Sequence, residues 1–323
     1  RDTINMKTVT ILVTLPFETA DRNRLAQAAP GCEIIYSTDL SQGASAEIII
    51  GQYPPARLNE AKNLRLLQLS FAGADAYLKP GVFPASAILT NATGAYGLAI
   101  SEYMVGAVLT MSKKFYLYRD NMHNNRWFDR GGVTSIAGSV VLTVGLGDIG
   151  GDFARLMKGF SVYNIGVRRS RTDKPDYMDE VVLADRLDEV LPRADIIALA
   201  MPGGQNTAGI ISRERIALMK DTALLINVGR GSAVDTEALC DALEAGKLGS
   251  AVLDVTDPEP LPPDHRLWKC ENALITPHVA GYYHHPATFG KIVDICIENV
   301  RAYLNGTPLR NVIDMQTGYA INN

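Results

Sequence analysis

Three polar side chains in the second half of the chain have types and positions suited to acting on a carbonyl compound. Arg230 lies between two glycines after an apolar segment, and such flanks leave a guanidinium free to bind a carboxylate and polarise an adjacent carbonyl. Glu259 and His278 follow two further apolar segments. A carboxylate bonded to an imidazole fixes its tautomer and stabilises its protonated form, as a general acid requires. The alternatives are a surface arginine in a turn and a histidine that only packs at the rim of the core.

The segment SVVLTVGLGDIGGDFARLMKGF at 139–160 contains a G-x-G-x-x-G motif between a predicted strand and a predicted helix. β-Branched residues precede the motif, and apolar residues at helical spacing follow it. Gly145 permits a tight turn, Gly147 lets a pyrophosphate approach bare backbone, and Gly150 lets the helix pack closely on the strand. Free N–H groups in the first turn of the helix favour binding of the phosphates. We therefore predict a dinucleotide site here, with an ordinary glycine-rich loop as the alternative.

A basic segment follows the next predicted strand, Val162–Val167, and consists of Arg168, Arg169, Ser170 and Arg171. In a NAD-binding fold this strand ends, about twenty residues after the glycines, in an acid that binds the ribose 2′-hydroxyl. Guanidinium groups instead pair with phosphate oxygens in a bidentate manner. The segment therefore favours NADP over NAD, with a solvated basic turn as the alternative.

These residues need a scaffold that brings the ends of several strands together. Short apolar segments alternate with helical patterns along the chain, which predicts βαβ units and parallel sheets. A length of 323 residues exceeds the usual span of a single core and favours two domains. Away from the glycine motif, helices are expected at Ala56–Lys62, at Ala99–Asn124 as the crossing into the second domain, and at Ala287–Leu304, which returns to pack on the first.

Two loops in the first half of the chain follow predicted strands. Gln52 and Tyr53 follow one strand, and residues 71–75 (FAGAD) follow the next. Ligands of open α/β sheets bind beyond the carboxyl ends of the strands. We expect Gln52, Tyr53 and Phe71 to shape a pocket for a small to medium substrate group. The FAGAD segment as a whole is equally well explained as a plain turn.

The composition excludes several classes of function. A net charge of −4 offers no basic field for nucleic acid. No apolar run is long enough to cross a bilayer, and the first residues lack a signal-peptide pattern. The four cysteines are scattered without the spacing of a metal site, as expected of reduced thiols. We therefore expect a cytoplasmic protein with no metal, no nucleic-acid partner and no membrane association.

Five spaced motifs, in order, resemble the D-isomer-specific 2-hydroxyacid dehydrogenase family over essentially the whole chain. They are VGLGDIG (144–150), LAMPGGQNTAGIIS (199–212), INVGRGSAVD (226–235), AVLDVTDPEPLP (251–262) and LWKCENALITPHVAG (267–281). The resemblance implies two Rossmann-like, doubly wound parallel-sheet α/β domains with a cleft between them. A flavodoxin-like substrate domain would comprise 1–100 and 289–323, and a dinucleotide-binding domain would comprise 101–288.

The resemblance also implies roles for individual residues. It puts the substrate-binding arginine of the family on Arg230, the glutamate that orients the histidine on Glu259, and the acid/base histidine on His278. Backbone N–H groups of 72–74 would hold the substrate carboxylate, which involves Ala72, Gly73 and Ala74. Asp254 would lie near the nicotinamide carboxamide. The other residues implied in cofactor binding lie within the quoted motifs: Asp148, Ile149, Met201, Pro202, Thr207, Val228, Gly229, His278, Ala280 and Gly281.

The expected activity is the reversible reduction of a small 2-oxoacid, such as glyoxylate or hydroxypyruvate, to the D-2-hydroxy acid with NADPH. The arginines after the second strand resemble those of the NADP-preferring glyoxylate/hydroxypyruvate reductase branch. Two alternatives share the fold, a co-repressor-like protein that senses NAD(P) and an enzyme that oxidises formate or phosphite. A resemblance to the formate-oxidising members would imply a glutamine paired with the histidine, whereas this chain has Glu259. The resemblance also implies a homodimer, with the helix at 99–124 as the expected interface.

Overall fold

The computed structural model describes residues 8–204, 206–283 and 285–321. The chain divides into two compact units: unit 1 contains the residues up to Ala95 and from His285 onward, and unit 2 is the segment between them. The boundaries predicted from the sequence, after residues 100 and 288, lie five and four residues beyond these divisions. The predicted domain ends at 1–7 and 322–323 lie outside the described residues.

Unit 1 is built on a five-stranded sheet whose strands are all parallel. Its strands are β1 (Thr10–Val13), β2 (Glu33–Tyr36), β3 (Ile48–Gly51), β4 (Leu66–Leu69) and β5 (Ile88–Thr90). They are arranged in the order β2-β1-β3-β4-β5, which is the flavodoxin-like order. All four residues of β3 and of β4 are buried, as expected of a parallel sheet covered on both faces. The predicted flavodoxin-like α/β arrangement is therefore confirmed for this unit.

The last helix of the chain belongs to unit 1, as predicted. Helix α8 (Pro286–Asn305) packs on α1 (Thr19–Ala28) and on β4. Pro286 occupies its first turn, where a missing N–H costs nothing, and Gly306 ends it in the left-handed region at φ 65°. Inside the unit, the Asn299 side chain donates to Gln68 Oε1 at 2.6 Å, so a buried amide network fastens this helix to the sheet.

Unit 2 is built on a seven-stranded sheet, again with every strand parallel. Its strands are β6 (Val140–Val144), β7 (Tyr163–Arg168), β8 (Glu180–Leu183), β9 (Ile196–Leu199), β10 (Leu224–Asn227), β11 (Ser250–Leu253) and β12 (Ala273–Ile275). Their order is β12-β11-β10-β9-β6-β7-β8. The first six in chain order reproduce the 3-2-1-4-5-6 arrangement of a dinucleotide-binding fold, in which the direction of winding reverses between the first and fourth strands, here β6 and β9. The predicted Rossmann-like domain is confirmed.

Six helices complete the regular structure of the described part of unit 2. They are α2 (Gly97–Ser112), α3 (Phe115–His123), α4 (Asp148–Lys158), α5 (Leu187–Val190), α6 (Arg213–Leu218) and α7 (Thr236–Glu244). The N-terminus of α7 is capped by the Asp235 carboxylate, which accepts from the Ala238 N–H at 2.9 Å. Apolar residues of the strands and of α7 form one core, which includes Leu142, Ile197, Leu225, Val167 and Leu239.

Three local predictions were wrong. The single helix predicted over 99–124 is two helices, because Lys114 adopts the left-handed conformation at φ 58° between α2 and α3. The helix predicted at 56–62 is only a short 3₁₀ turn at Pro55–Arg57, since few apolar residues follow that could hold a longer helix against the core. Strand β8 was missed because it is short and begins with a charged residue, Glu180. None of the helices in the described residues combines the length and hydropathy needed to span a membrane.

Candidate active site

The G-x-G-x-x-G loop joins β6 to α4 at the reversal point of the unit 2 sheet. Gly145 has φ +94°, and a Cβ on Gly150 would lie 1.9 Å from the Gly145 carbonyl oxygen. Both positions therefore require glycine, one for the turn and one for the close approach of α4 to the loop. A Cβ on Gly147, by contrast, would meet nothing within 4 Å. Gly147 caps α4 beside open space, and the N-terminus of a helix suits an anionic group such as a pyrophosphate.

The side chain of Asp148 binds the backbone at the start of α2. Its Oδ2 accepts from the Gly97 N–H at 2.9 Å, and a Cβ on Gly97 would lie 2.7 Å from Asp148 Oδ1. The N-termini of α2 and α4 thus meet at one carboxylate, which both helix dipoles favour. The predicted contacts of Asp148 and Ile149 with a nucleotide stay predictions.

The basic segment after β7 adopts a folded loop. Arg168 ends β7, which lies beside β6 in the sheet. Its side chain is only 11% exposed, and its Nη1 lies 2.7 Å from Asp173 Oδ2. Arg171 Nε lies 3.6 Å from Asp173 Oδ1, whereas Arg169 and Ser170 are exposed. The predicted phosphate-binding arginines are thus near the end of the correct strand, together with an acid, Asp173, that the sequence analysis missed.

The loop after β9 lies against the glycine loop, and the loop after β10 lies against the loop after β9. The Met201 backbone N–H would lie 3.0 Å from a Cβ on Gly145, and its carbonyl oxygen would lie 2.6 Å from a Cβ on Gly229. Thr207 Oγ1 donates to the Pro202 carbonyl at 3.0 Å and closes the loop after β9. Val228, immediately before Gly229, is held by its N–H bond to the Leu199 carbonyl at 3.1 Å. The structure therefore brings together the residues predicted to bind the cofactor in the loops after β9 and β10: Met201, Pro202, Thr207, Val228 and Gly229.

Arg230 is positioned by the two glycines that flank it. Asn227 Nδ2 donates to the Arg230 carbonyl at 2.8 Å, and Arg230 Nη1 donates to the Gly229 carbonyl at 2.7 Å. A Cβ on Gly231 would lie 1.9 Å from the Thr256 carbonyl oxygen. Glycine is therefore required at 231 because the Arg230 loop packs directly on the loop after β11, which carries Glu259.

Glu259 and His278 form a close pair of titratable groups at this edge of the sheet. His278 Nδ1 lies 2.6 Å from Glu259 Oε1, and the two side chains are 50% and 42% exposed. The second carboxylate oxygen of Glu259 accepts from the Thr256 N–H at 3.4 Å. His278 has φ 54°, a conformation that non-glycine residues rarely adopt. The pairing predicted from the sequence is present: with Nδ1–H directed at the carboxylate, the Nε2 atom is the one that can exchange a proton with a substrate.

Asp254 lies behind this pair and organises its loop. Its side chain is buried, with only 3% of the residue exposed. Oδ1 accepts from the Val279 N–H at 2.9 Å and from Thr276 Oγ1 at 2.6 Å, and Oδ2 accepts from the Ala280 N–H at 3.0 Å. The carboxylate therefore satisfies the N–H groups directly after His278. Gly281 follows, and a Cβ there would lie 2.7 Å from the Ile100 side chain.

In unit 1 the loop predicted to bind a carboxylate is well defined. Ala72, Gly73 and Ala74 follow β4, and Asn91 Nδ2 donates to the Ala72 carbonyl at 2.6 Å. Ala72 and Gly73 are half-buried and Ala74 is buried, so their backbone is held by packing and by Asn91. Their role with a substrate stays a prediction.

Tyr53, which the sequence analysis expected to shape a substrate pocket, packs inside unit 1, and its role with a substrate stays a prediction. The residue is completely buried in the apolar core of unit 1. The Tyr53 ring packs directly on Gly43, where an added Cβ would lie 2.5 Å from Cε2. The Tyr53 carbonyl accepts from Tyr77 OH at 2.9 Å. Gln52, the residue before it, is exposed and its N–H donates to Thr14 Oγ1 at 3.0 Å.

Comparisons with known proteins agree with this geometry. Residues 105–280 match the family model of the D-isomer specific 2-hydroxyacid dehydrogenase, NAD binding domain. The glyoxylate reductase of Thermofilum pendens is 32% identical over 235 residues, which cover 69% of this chain and 68% of that protein. The chain belongs to the D-isomer specific 2-hydroxyacid dehydrogenase family. The predicted family is thus confirmed, and with it an NAD(P)-dependent oxidoreductase.

Solved structures place this family member among similar folds. A D-isomer specific 2-hydroxyacid dehydrogenase family protein from Aeromonas salmonicida is 31% identical, with a TM-score of 0.85, and the match covers 95% of this chain and 99% of that one. The NADPH-dependent glyoxylate/hydroxypyruvate reductase of Sinorhizobium meliloti, in complex with NADP and sulfate, is 25% identical. Its TM-score is 0.82, and the match covers 97% of this chain and all of that one.

Two residues of this 2-hydroxyacid dehydrogenase family member were missed by the sequence analysis. Thr276 Oγ1 lies 2.6 Å from Tyr103 OH, which belongs to α2, as well as bonding Asp254. Burial raises the pKa of the Tyr103 phenol to about 12, so the hydroxyl keeps its proton at neutral pH. Thr276 stands in the quoted LITPHVAG motif and could have been noticed there, whereas helical spacing marked Tyr103 only as a packing residue.

Proposed function

We propose that this protein reduces a small 2-oxoacid, such as glyoxylate or hydroxypyruvate, to the D-2-hydroxy acid with NADPH. The observation that carries the proposal is the 2.6 Å contact between Glu259 and His278, on loops at the same edge of the sheet as the glycine loop. A carbonyl reduction needs a proton donor beside the nucleotide, and this pair is suited to that task.

The roles of the chain's own residues follow from their contacts. The glycine loop and the first turn of α4 would hold the pyrophosphate of the cofactor, which supplies a hydride to the carbonyl carbon when bound. His278 donates the proton on Nε2 to the oxygen that becomes the hydroxyl. The Glu259 carboxylate accepts from Nδ1–H at 2.6 Å and so orients the imidazole for the transfer. The Arg230 guanidinium pairs with the substrate carboxylate and orients the carbonyl.

The preference for NADPH rests on the end of β7. Arg168 stands where a NAD-binding fold commonly has an acid, and Arg171 follows in the same loop. Two guanidinium groups favour a 2′-phosphate over a 2′-hydroxyl. The Sinorhizobium meliloti relative described as NADPH-dependent supports the same choice.

The test is an initial-rate panel with purified protein. Glyoxylate, hydroxypyruvate, pyruvate and larger 2-oxoacids are reduced with NADPH and with NADH, and formate and phosphite are offered with both oxidised cofactors. We expect turnover of a small 2-oxoacid that is faster with NADPH. Oxidation of formate or phosphite without 2-oxoacid reduction would replace the proposal with the dehydrogenase alternative. Nucleotide binding without any turnover would favour the co-repressor-like alternative.

We also propose a homodimer formed through α3 and the segment after it. Four large apolar side chains there are more than half exposed: Phe115, Met122, Trp127 and Phe128. Exposed large apolar side chains close together in the sequence can mark a protein interface, and aromatic residues are enriched at such interfaces. Light scattering of the wild type should give the mass of two chains. The Trp127→Ser, Phe128→Ser double variant should be monomeric; a wild-type monomer would contradict the proposal.

A further inference from the structure

The loop that follows β7 contains a carboxylate, that of Asp173, paired with arginines of the same loop. The Asp173 carboxylate lies between two arginines, with Oδ2 at 2.7 Å from Arg168 Nη1 and Oδ1 at 3.6 Å from Arg171 Nε. The same Arg168 nitrogen donates to the Asp173 carbonyl at 3.3 Å. The loop therefore folds back on itself, and one carboxylate occupies the space in front of two guanidinium groups.

We propose that Asp173 is a cofactor-specificity residue that competes with the 2′-phosphate of NADP(H) for Arg168 and Arg171. This inference rests on the proposed preference for NADPH. The two proposals differ because Asp173 weakens the preference for NADPH. Its carboxylate is the group that a bound 2′-phosphate must displace.

The geometry of Arg168 sets the two anions in competition at close range. Its side chain is only 11% exposed, so its guanidinium has little room to turn toward a second anion, whereas Asp173 is 63% exposed and can move away. Two negative charges about 4 Å apart repel each other appreciably near a protein surface. A 2′-phosphate that pairs with Arg168 therefore requires the Asp173 carboxylate to leave.

The electrostatics of the free protein support this competition. The Arg168 guanidinium, followed by that of Arg171, holds the pKa of the Asp173 carboxyl below its usual range. The carboxylate is therefore ionised at neutral pH and is a true competitor of phosphate. NAD(H) carries a hydroxyl in place of the 2′-phosphate and leaves the Arg168–Asp173 pair intact. Asp173 thus narrows the difference in affinity between the two cofactors.

The experiment measures binding without catalysis. Dissociation constants of adenosine 2′,5′-bisphosphate and of ADP are determined by calorimetry for the wild type and for Asp173→Asn. The variant keeps an oxygen that can accept from Arg168 but removes the charge. We expect it to bind adenosine 2′,5′-bisphosphate about tenfold more tightly, with the affinity for ADP unchanged. The matched control is Asp176→Asn, which removes an exposed carboxylate from the same loop and should change neither constant.

An unchanged or weaker affinity of Asp173→Asn for adenosine 2′,5′-bisphosphate would overturn the inference. It would mean that Asp173 only holds Arg168 in place. Arg168→Gln separates this failure from that of the proposed cofactor. If Arg168→Gln loses affinity for the bisphosphate while Asp173→Asn gains none, only the competition is wrong. If Arg168→Gln binds the bisphosphate as the wild type does, no phosphate binds at Arg168 and both proposals fall.

Discussion

The Thr276 hydroxyl lies 2.6 Å from Asp254 Oδ1 and 2.6 Å from the phenol oxygen of Tyr103. It thus connects helix α2 to the buried carboxylate that holds the backbone N–H groups directly after His278. The loop that presents the imidazole is therefore fixed from behind by three hydroxyl and carboxyl groups. None of these groups needs to touch a substrate to affect the reaction.

We expect Thr276→Val to lower kcat about tenfold, because a small misplacement of a catalytic group is costly, while the dissociation constant for NADPH changes little. Thr276→Ser keeps the hydroxyl and should restore kcat. Rates and nucleotide titrations of the two variants check this. A loss of kcat in Thr276→Ser, with normal kcat in Thr276→Val, would show that the methyl group and not the hydroxyl matters.

The Glu259–His278 pair gives a sharper prediction. His278→Ala should lower kcat by about 10²–10⁴-fold, the usual range for a positioned proton donor. Glu259→Gln should cause a smaller loss, because the amide still accepts from Nδ1–H but no longer stabilises the imidazolium. Steady-state rates with saturating NADPH measure both. Near-normal turnover in His278→Ala would remove this residue from the mechanism.

Two glycines of the glycine loop should affect nucleotide binding and fold stability separately. Gly147→Ala adds a methyl group that meets no protein atom within 4 Å, so the thermal stability should stay close to that of the wild type. Its nucleotide affinity should fall at least tenfold, because the methyl group blocks the approach of the pyrophosphate to bare backbone. Gly150→Ala should instead destabilise the fold, since its Cβ would lie 1.9 Å from a backbone oxygen. Calorimetric binding and melting curves test the contrast. Normal nucleotide binding by Gly147→Ala would argue against a pyrophosphate at this helix.

The sequence allowed prediction of those site residues that directly follow apolar strands. Gly145, Arg230 and His278 each end such a segment, and parallel sheets bring the carboxyl ends of their strands to one edge. Residues that depend on how a loop folds back were missed. Asp173 is brought onto Arg168 by a turn with no periodic pattern, and Tyr53 is turned into the core by its loop. The break at Lys114 was missed because the apolar spacing continues on both sides of it.

In unit 1, the buried amide of Asn299 provides a prediction about stability. Its Nδ2 donates to Gln68 Oε1 at 2.6 Å and to the Arg310 carbonyl at 2.9 Å, and its Oδ1 accepts from the Arg310 N–H at 2.7 Å. Asn299→Leu should lower the free energy of unfolding by about 3 kcal/mol, because buried groups left without partners cost about 1–3 kcal/mol each. Urea unfolding measures the loss. Asn63→Ala, which removes one 3.4 Å bond at an exposed site, should change the free energy of unfolding little; equal effects of the two variants would contradict the argument.

The last prediction concerns the dependence of stability on pH through Glu180. Hydrogen bonds from the Arg193 guanidinium, at 3.1 and 2.7 Å, hold the pKa of the Glu180 carboxyl below its usual range. A carboxyl whose pKa is lower in the folded state stabilises the fold above its unfolded pKa of about 4.3, and this contribution is lost as pH falls through the folded value. Glu180→Gln should therefore reduce the free energy of unfolding by about 0.5 kcal/mol at neutral pH, the scale of a partly exposed pair.

The difference between wild type and Glu180→Gln should shrink as the pH of the urea titrations is lowered from 7 toward 4 and below. Arg193→Gln removes the partner, so in its background the substitution at Glu180 should have little effect at any pH. A difference that stays constant over this range would mean that Glu180 acts through packing. A difference that persists in the Arg193→Gln background would assign its effect to another partner.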